Sequence, residues 1–352
     1  MKDLNKFIEL ATNSLYFSGA KIDDHIREFL SNHLDFCLSV GENLPNDINH
    51  IFLIGSGGSY NSLQTAKYIL DRYLPIPVDV YMSYDLIWRK PINLTSSSLL
   101  LFASYSGETE DVVAAFNFAK SKKSKLISIV GKPLSTLDKE TDISIVYDNG
   151  AIFEIPILSI LLIAMGYLKV KGLSEMFDDL YSSIKSLPSL LKSVTETESS
   201  KAEEKARDFL SANHIYVLGS GPLSALANKF AMSVIMENIR IGASFADAQD
   251  WRHGPVEVLE RLRGRFIVLV GNDESREMVL RSVNIIKNLG SDVLVYDVST
   301  YCNIHPLLSP LVINTLTQWF TVYSAILRGI TDLDDRAFMG HGFLSSSGSI
   351  WP

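Results

Sequence analysis

Two residues in the second half of the chain could move protons. Glu237 lies late in an apolar helical pattern (Phe230, Met232, Val234, Ile235, Met236), and His253 stands sixteen residues further on, directly before Gly254 and Pro255. A glutamate on an apolar pattern needs a partner or a task. A histidine ahead of Gly-Pro reads as a loop residue just before a new helix, held in one pose by its restricted backbone. A carboxylate and an imidazole together suit general acid–base work on a sugar. The imidazole can protonate a ring oxygen, and the carboxylate can carry a proton between neighbouring carbons through an enediol or enolamine. Taken singly, the same residues are equally at home as a helix-surface glutamate and a structural histidine.

The first half carries a binding chemistry. Gly55-Ser56-Gly57-Gly58-Ser59 follows one apolar run, and Ser104-Tyr105-Ser106-Gly107-Glu108-Thr109 follows another, Leu99 to Phe102. At the start of a helix, free backbone N–H groups and the helix dipole attract an anion. Hydroxyls add donors, so no lysine or arginine is required. The first turn lacks the GxxxxGK[ST] of a nucleotide loop, and its sixth position from Gly55 is Tyr60, which breaks GxGxxG. The expected guest is a small phosphate, with no ATP or nicotinamide nucleotide. One such turn alone also reads as a helix N-cap supplied by Ser104 or Ser106. Two turns on adjacent strands weigh against that simpler reading.

These residues need a scaffold, and the chain repeats one. "HIFLIGSGGSYNS" begins at His50 and "HIYVLGSGPLSAL" at His214. Each is a short apolar run, then Gly-Ser-Gly, then a helical pattern. Further short apolar runs follow: "SLLLFASYSGETED" and "KLISIV" after the first, "RFIVLV" and "DVLVYD" after the second. Strands alternating with helices predict βα units on parallel sheets, and near-continuous Val/Ile/Leu strands predict sheets covered on both faces. The fold class expected is α/β, with two doubly wound, flavodoxin-like domains in tandem. The predicted divisions are N-terminal helices over 1–45, a first domain over 46–190, a second over 200–335 and a tail over 336–352. The polar stretch 191–210 reads as a linker leading into the second domain's first helix. The apolar run at 152–168 contains Glu154 and a proline and is short for a bilayer, so it is expected to be a buried helix.

Composition narrows the partners. Hydrophobic residues make up 47% and charged residues 20%, which fits a globular protein with a substantial core. A net charge of −8 disfavours nucleic acid and anionic membrane as partners. Cys37 and Cys302 are far apart and show no metal-type spacing, which reads as two reduced thiols in a cytoplasmic protein. No signal peptide is visible in "MKDLNKFIEL". The histidines form no HxxxH and no paired-carboxylate arrangement, so neither a metal nor any other cofactor is expected.

At these residues the chain resembles the sugar isomerase (SIS) domain family, with two such domains in one chain. It is similar to the isomerase half of glucosamine-6-phosphate synthase and closer in kind to the fructosamine-6-phosphate deglycases. The resemblance covers nearly all of 46–341. It rests on "GGSYNS" at 57–62, "SYSGETED" at 104–111, "WRHGP" at 251–255 with Glu237 upstream, and "RGITDLDDRAFMG" at 328–340. It implies that Ser59, Ser104, Ser106 and Thr109, with the Tyr105 N–H, bind a sugar 6-phosphate. It implies Glu237 as proton shuttle and His253 as the group assisting ring opening or acting as general acid. In relatives the histidine enters from the neighbouring subunit, which implies a homodimer with shared active sites. Gly58, Glu154 and His341 are further candidate substrate contacts.

Departures from the synthase pattern refine the expectation. Phe230 and Val234 stand where the synthase helix has a glutamate and a lysine, and His341 aligns with its Schiff-base lysine. "AIFEIPILSI" replaces the Ser-Thr-Lys loop, and no glutaminase domain or cysteine near residue 1 is seen. Without the amine, an imine to the sugar carbonyl has no obvious nucleophile. The expected substrate is a 6-phosphorylated ketosamine, cleaved to glucose 6-phosphate and an amino acid. The alternatives are a glucosamine-6-phosphate deaminase, an aldose–ketose isomerase, or a phosphosugar sensor without catalysis. The sensor reading is disfavoured by the lack of a basic recognition helix.

Overall fold

The computed structural model describes residues 17–261 and 263–338, together with Lys6, Ile8, Glu9, Ala11 and Ser14. The described residues divide into two compact units. One comprises His25–Tyr181 with residues from Arg336 on; the other comprises the residues up to Asp24 with Ser182–Asp335.

The first unit runs α1 (Ile22–Glu42), β1 (His50–Gly55), α2 (Gly57–Leu70), β2 (Val78–Met82), α3 (Ser83–Arg89), β3 (Ser98–Ser104), α4 (Glu110–Lys120), β4 (Lys125–Val130), α5 (Thr136–Glu140), β5 (Ile143–Val146) and α6 (Glu154–Val170). Its five strands are parallel in the order β2-β1-β3-β4-β5. Every residue of β3 is buried, as a strand covered on both faces must be. Phe52, Ile54, Leu100, Phe102, Phe116 and Leu126 share one core, where Phe102 meets Phe116 edge-to-face at 5.6 Å. Truncating either ring costs about 3–5 kcal/mol. Helix α6 is buried from Glu154 to Leu168, as its all-round apolar sequence requires. It lies so close to α1 that a Cβ on Gly166 would stand 2.0 Å from the Leu38 carbonyl oxygen, and one on Gly41 1.9 Å from that of Ile163.

The chain order sets where a ligand can enter. From β1 it moves to β2 on one side and then to β3 on the other, so the connections leave the ends of β1 and β3 in opposite directions. That switch point is where open α/β sheets form a crevice. Helices α2 and α4 start there.

The second unit contains α7 (Asp178–Ser199), α8 (Ala202–Asp208), β6 (His214–Gly219), α9 (Ser224–Lys229), a π-helical stretch Phe230–Ile239, β7 (Gly242–Asp247), α10 (Ala248–Trp251), β8 (Arg265–Val270), α11 (Arg276–Asn288), β9 (Asp292–Asp297) and α12 (Ser309–Leu327). Helix α7 begins just before the unit boundary. The strands are again parallel, in the order β7-β6-β8-β9. The fold is therefore two parallel-sheet α/β units. One expectation needs correction. Residues 191–199 are not a linker but the last turns of α7, because Leu180, Ile184, Leu187, Leu191 and Val194 form a buried stripe at helical spacing beneath the polar residues.

Candidate functional site

Three connections meet at the open end of the first sheet. After β1 comes Ser56 at the N-cap position of α2, in extended backbone conformation and making no capping hydrogen bond. Gly57 follows at φ +55, with open space where a Cβ would lie. Gly58 and Ser59 form the first turn of α2 and are half-buried. After β3 comes the hydroxyl loop. Thr109 Oγ1 lies 3.2 Å from Ser104 Oγ and 3.1 Å from Ser106 Oγ. The Gly107 N–H donates to Ser104 Oγ at 3.2 Å, and the Glu108 N–H to Ser106 Oγ at 3.2 Å. Both serine oxygens thus accept from the backbone, and of the three hydroxyl protons two serve the mutual contacts and one is left to donate outward. Thr109, the N-cap of α4, uses its hydroxyl on these serines and not on its own helix. Neither Ser104 nor Ser106 occupies the N-cap position.

The surrounding contacts hold the loop rigid. Gly107 takes φ +65, and a Cβ there would meet Ser135 Oγ at 2.2 Å. The Glu108 carboxylate accepts from the Thr136 N–H at 2.6 Å and its hydroxyl at 2.9 Å, so that negative charge is spent on the start of α5. The Tyr105 carbonyl accepts from the N–H groups of Gly131 and Lys132 at 2.9 and 3.0 Å. The Lys132 ammonium lies 5.2 Å from the Tyr105 ring centre, and its hydrogen bond to Tyr105 raises its pKa. Tyr147 meets Tyr105 at 6.0 Å; burial lifts its phenol above the usual range, with Tyr105 and Glu154 adding to the lift. Glu154 is fully buried at the start of α6. The arrangement is a set of preset donors at a helix start, suited to a small oxyanion.

The second unit carries the two proton-transfer candidates. Glu237 is half-buried on the π-helical stretch, whose end is marked by Arg240 at φ +60. π-Helical turns concentrate at functional sites because the wider turn re-aims side chains. His253 is exposed in the turn after α10, with its N–H donating to the Asp250 carbonyl at 2.8 Å. Gly254 at φ +142 then lets Pro255 open a short 3₁₀ turn, Pro255–Glu260. Each sheet unit therefore contributes part of the predicted set: Gly58, Ser59, Ser104, Tyr105, Ser106, Thr109 and Glu154 from one, Glu237 and His253 from the other. His341 lies outside the described residues. Among the described residues, no group of three or more His, Cys, Asp or Glu side chains is placed to hold a metal ion. No helix among them is long and apolar enough to cross a membrane.

Sequence reasoning passed over Ser83 and Asp111. Ser83 Oγ lies 3.0 Å from Ser56 Oγ, and the Ser56 hydroxyl donates to the Asp111 carboxylate in a short hydrogen bond. These two residues tie the connections after β2 and β3 to the one after β1. An acidic residue in the first turn of α4 was the visible signal, but acids are common there for dipole reasons alone.

Comparison with known proteins agrees with this architecture. The SIS domain model matches residues 46–165, which hold both turns of the candidate oxyanion site. Residues 46–165 of this chain are thus similar to a SIS domain. Over 302 residues it is 25% identical to fructoselysine 6-phosphate deglycase of Escherichia coli, covering 86% of this chain and 88% of that one. It is 28% identical over 281 residues to a fructosamine deglycase of Bacillus subtilis, covering 77% and 85%. A likeness of fold extends over both units. The C-terminal domain of glucosamine-fructose-6-phosphate aminotransferase from Francisella tularensis superimposes with a TM-score of 0.76 at 20% identity, over 90% of this chain and 95% of that one.

Proposed function

We propose that this protein is an enzyme that deglycates 6-phosphorylated ketosamines, releasing glucose 6-phosphate and a free amine such as an amino acid. The observation that carries the reading is the hydroxyl loop. Ser104, Ser106 and Thr109 form a mutually bonded group whose serine oxygens already accept from the backbone, at the start of a helix and at the sheet's switch point. Ser59, Ser104, Ser106 and Thr109, with the Tyr105 N–H, hold the 6-phosphate, and Gly58 lets the backbone approach it. The similarity to two deglycases over most of the chain supports the choice of reaction.

The chemistry needs two proton-transfer groups and water. His253 opens the sugar ring by protonating the ring oxygen. Glu237 takes the proton from C1, the carbon that carries the amine, and the electrons move to the C2 carbonyl to give an enolamine. Returning a proton to C2 leaves a C1 imine. Water adds to C1, the C–N bond breaks, and the amine departs with a proton from His253. No electrons are gained or lost overall, so the sequence of steps calls for no redox cofactor. His341 favours this route over transamination, because it stands where the synthase has its Schiff-base lysine and offers no amine nucleophile. Glu154 and His341 are further substrate contacts, and a homodimer supplies His253 to its partner's site.

The test is product analysis with fructosyl-lysine 6-phosphate, fructosyl-aspartate 6-phosphate and glucosamine 6-phosphate. Glucose 6-phosphate plus amino acid, lost in Glu237→Gln, is the expected result. Fructose 6-phosphate plus ammonia from glucosamine 6-phosphate alone would replace this reading with a deaminase. Binding of a 6-phosphosugar without turnover of any substrate would replace it with a sensor.

A further inference from the structure

Asp111 contributes a carboxylate to a site read here as accepting a phosphate, and its role there has to be explained. Proton counting gives the answer. An ionised carboxylate only accepts, so the Ser56 proton goes to Asp111, and the neighbouring Ser83 hydroxyl, 3.0 Å from Ser56 Oγ, donates to Ser56. Asp111 also accepts from the Val112 N–H at 2.8 Å. Ser56 occupies the N-cap position of the fourteen-residue α2 with φ −135 and ψ 155, the backbone from which a serine normally caps its own helix. It makes no such bond. Its hydroxyl has been drawn off, so the first N–H groups of α2, at Gly57, Gly58 and Ser59, are left without that cap.

The second unit repeats half of this device. Ser220, also at an N-cap position in extended conformation, donates to the Asp247 carboxylate and makes no capping bond to the turn that follows. There the turn is Gly221-Pro222-Leu223, and Pro222 has no N–H to offer. Of these two turns, only the one after β1 combines a withdrawn serine with three consecutive N–H groups.

We propose that Asp111 is a positioning residue that holds the phosphate subsite open by keeping the Ser56 hydroxyl away from the N-terminus of α2. This rests on the phosphate reading given above. Without the carboxylate, Ser56 turns to accept from Gly58 or Ser59, and the protein's own cap then competes with the ligand for the same N–H groups. Ser56 itself is not a phosphate ligand, because its one proton is committed.

Titration calorimetry of the full chain with glucose 6-phosphate, with glucose and inorganic phosphate alongside, tests this. Asp111→Ala is expected to weaken glucose 6-phosphate binding roughly fivefold to tenfold, the size of an N-cap contribution. Adding Ser56→Ala to Asp111→Ala is expected to restore binding to within about twofold of wild type, since it deletes the competing cap. A merely structural role for Asp111 would not be rescued this way. Asp111→Asn, which still accepts from Ser56, is expected to bind like wild type. Ser56→Ala alone is also expected to bind like wild type, and it decides the matter even if Asp111→Ala fails to fold. A double variant as weak as Asp111→Ala, or a large loss in Ser56→Ala, overturns the proposal while leaving the phosphate reading intact. If wild type binds glucose as well as glucose 6-phosphate, the phosphate reading falls and this proposal with it.

Discussion

Replacing Lys205 by methionine should destabilise the second unit sharply, because of what it leaves behind. Glu198 is completely buried, and both its oxygens accept from Lys205 Nζ at 2.7 Å. The Tyr301 phenol donates to Glu198 Oε2 at 2.7 Å and accepts from Lys205 at 2.9 Å, while the Tyr296 ring lies 4.6 Å beneath the ammonium. Burial lowers the pKa of Lys205, and the bonds to Glu198 act against that shift. Methionine keeps the volume of the stem but removes the countercharge, so a carboxylate is stranded away from water. Losing one partner of a buried pair costs about 3–5 kcal/mol. The lysine side chain is 19% exposed, so water can partly replace the ammonium, and the lower end, about 3 kcal/mol, applies. At about 2–4 °C per kcal/mol for a unit of this size, the melting temperature should fall by about 6–12 °C. Scanning calorimetry at neutral pH measures this directly. The double variant Lys205→Met/Glu198→Leu should recover most of the loss, because an apolar pair of similar volume has no charge to desolvate. A single variant melting within about 2 °C of wild type would refute the reasoning. So would a double variant no more stable than the single.

Three further outcomes are expected. Burial pulls the Asp297 pKa up, but the Arg276 fork at 2.8 and 2.7 Å and the bonds from Ser299 outweigh it and hold the pKa below the usual carboxylate value. The resulting stability is present above the unfolded value, about pH 4, and is lost as pH falls through the folded value. Melting temperature against pH should therefore drop more steeply on the acid side for wild type than for Asp297→Asn; parallel curves would contradict this. A Cβ at position 131 would stand 2.1 Å from the Tyr105 ring, so Gly131→Ala should displace the hydroxyl loop and raise KM for a 6-phosphosugar more than it lowers kcat. Equal effects on both would point elsewhere. Burial raises the pKa of Cys37 to about 12 and that of Cys302 to about 11. At neutral pH neither should react with iodoacetamide in the native protein, and mass spectrometry should find both labelled only after unfolding.

What the sequence disclosed follows from where each signal comes from. Strands β1, β3, β4, β6 and β8 were legible because parallel strands covered on both faces must be apolar along their whole length. β2, β5 and β7 were not: "VDVYM", "ISIV" and "GASFAD" are half-exposed edge strands with short or interrupted apolar runs, whereas the edge strand β9, "DVLVYD", keeps a central run of Val-Leu-Val-Tyr and was legible. The hydroxyl loop was legible from composition alone, being a dense run of small donors after an apolar strand. The π-helical stretch left no such mark. Its apolar residues look like one helical face, yet Phe230, Ala231, Ile235 and Ile239 are buried while Met232 and Met236 are exposed. The wider turn has shifted the phase of the face that includes Glu237.

The link between Ser56 and Asp111 was out of reach for a different reason. The two residues are 55 positions apart, and nothing in either neighbourhood names the other. Yet the repeated Gly-Ser-Gly already held the relevant contrast. After Gly55-Ser56 the chain continues Gly57-Gly58-Ser59, and after Gly219-Ser220 it continues Gly221-Pro222-Leu223. One turn keeps every N–H and the other gives one up. A single proline thus separates two turns of the same backbone plan. With the hydroxyls of Ser104, Ser106 and Thr109 after the neighbouring strand, the first of these turns is the one richer in donors.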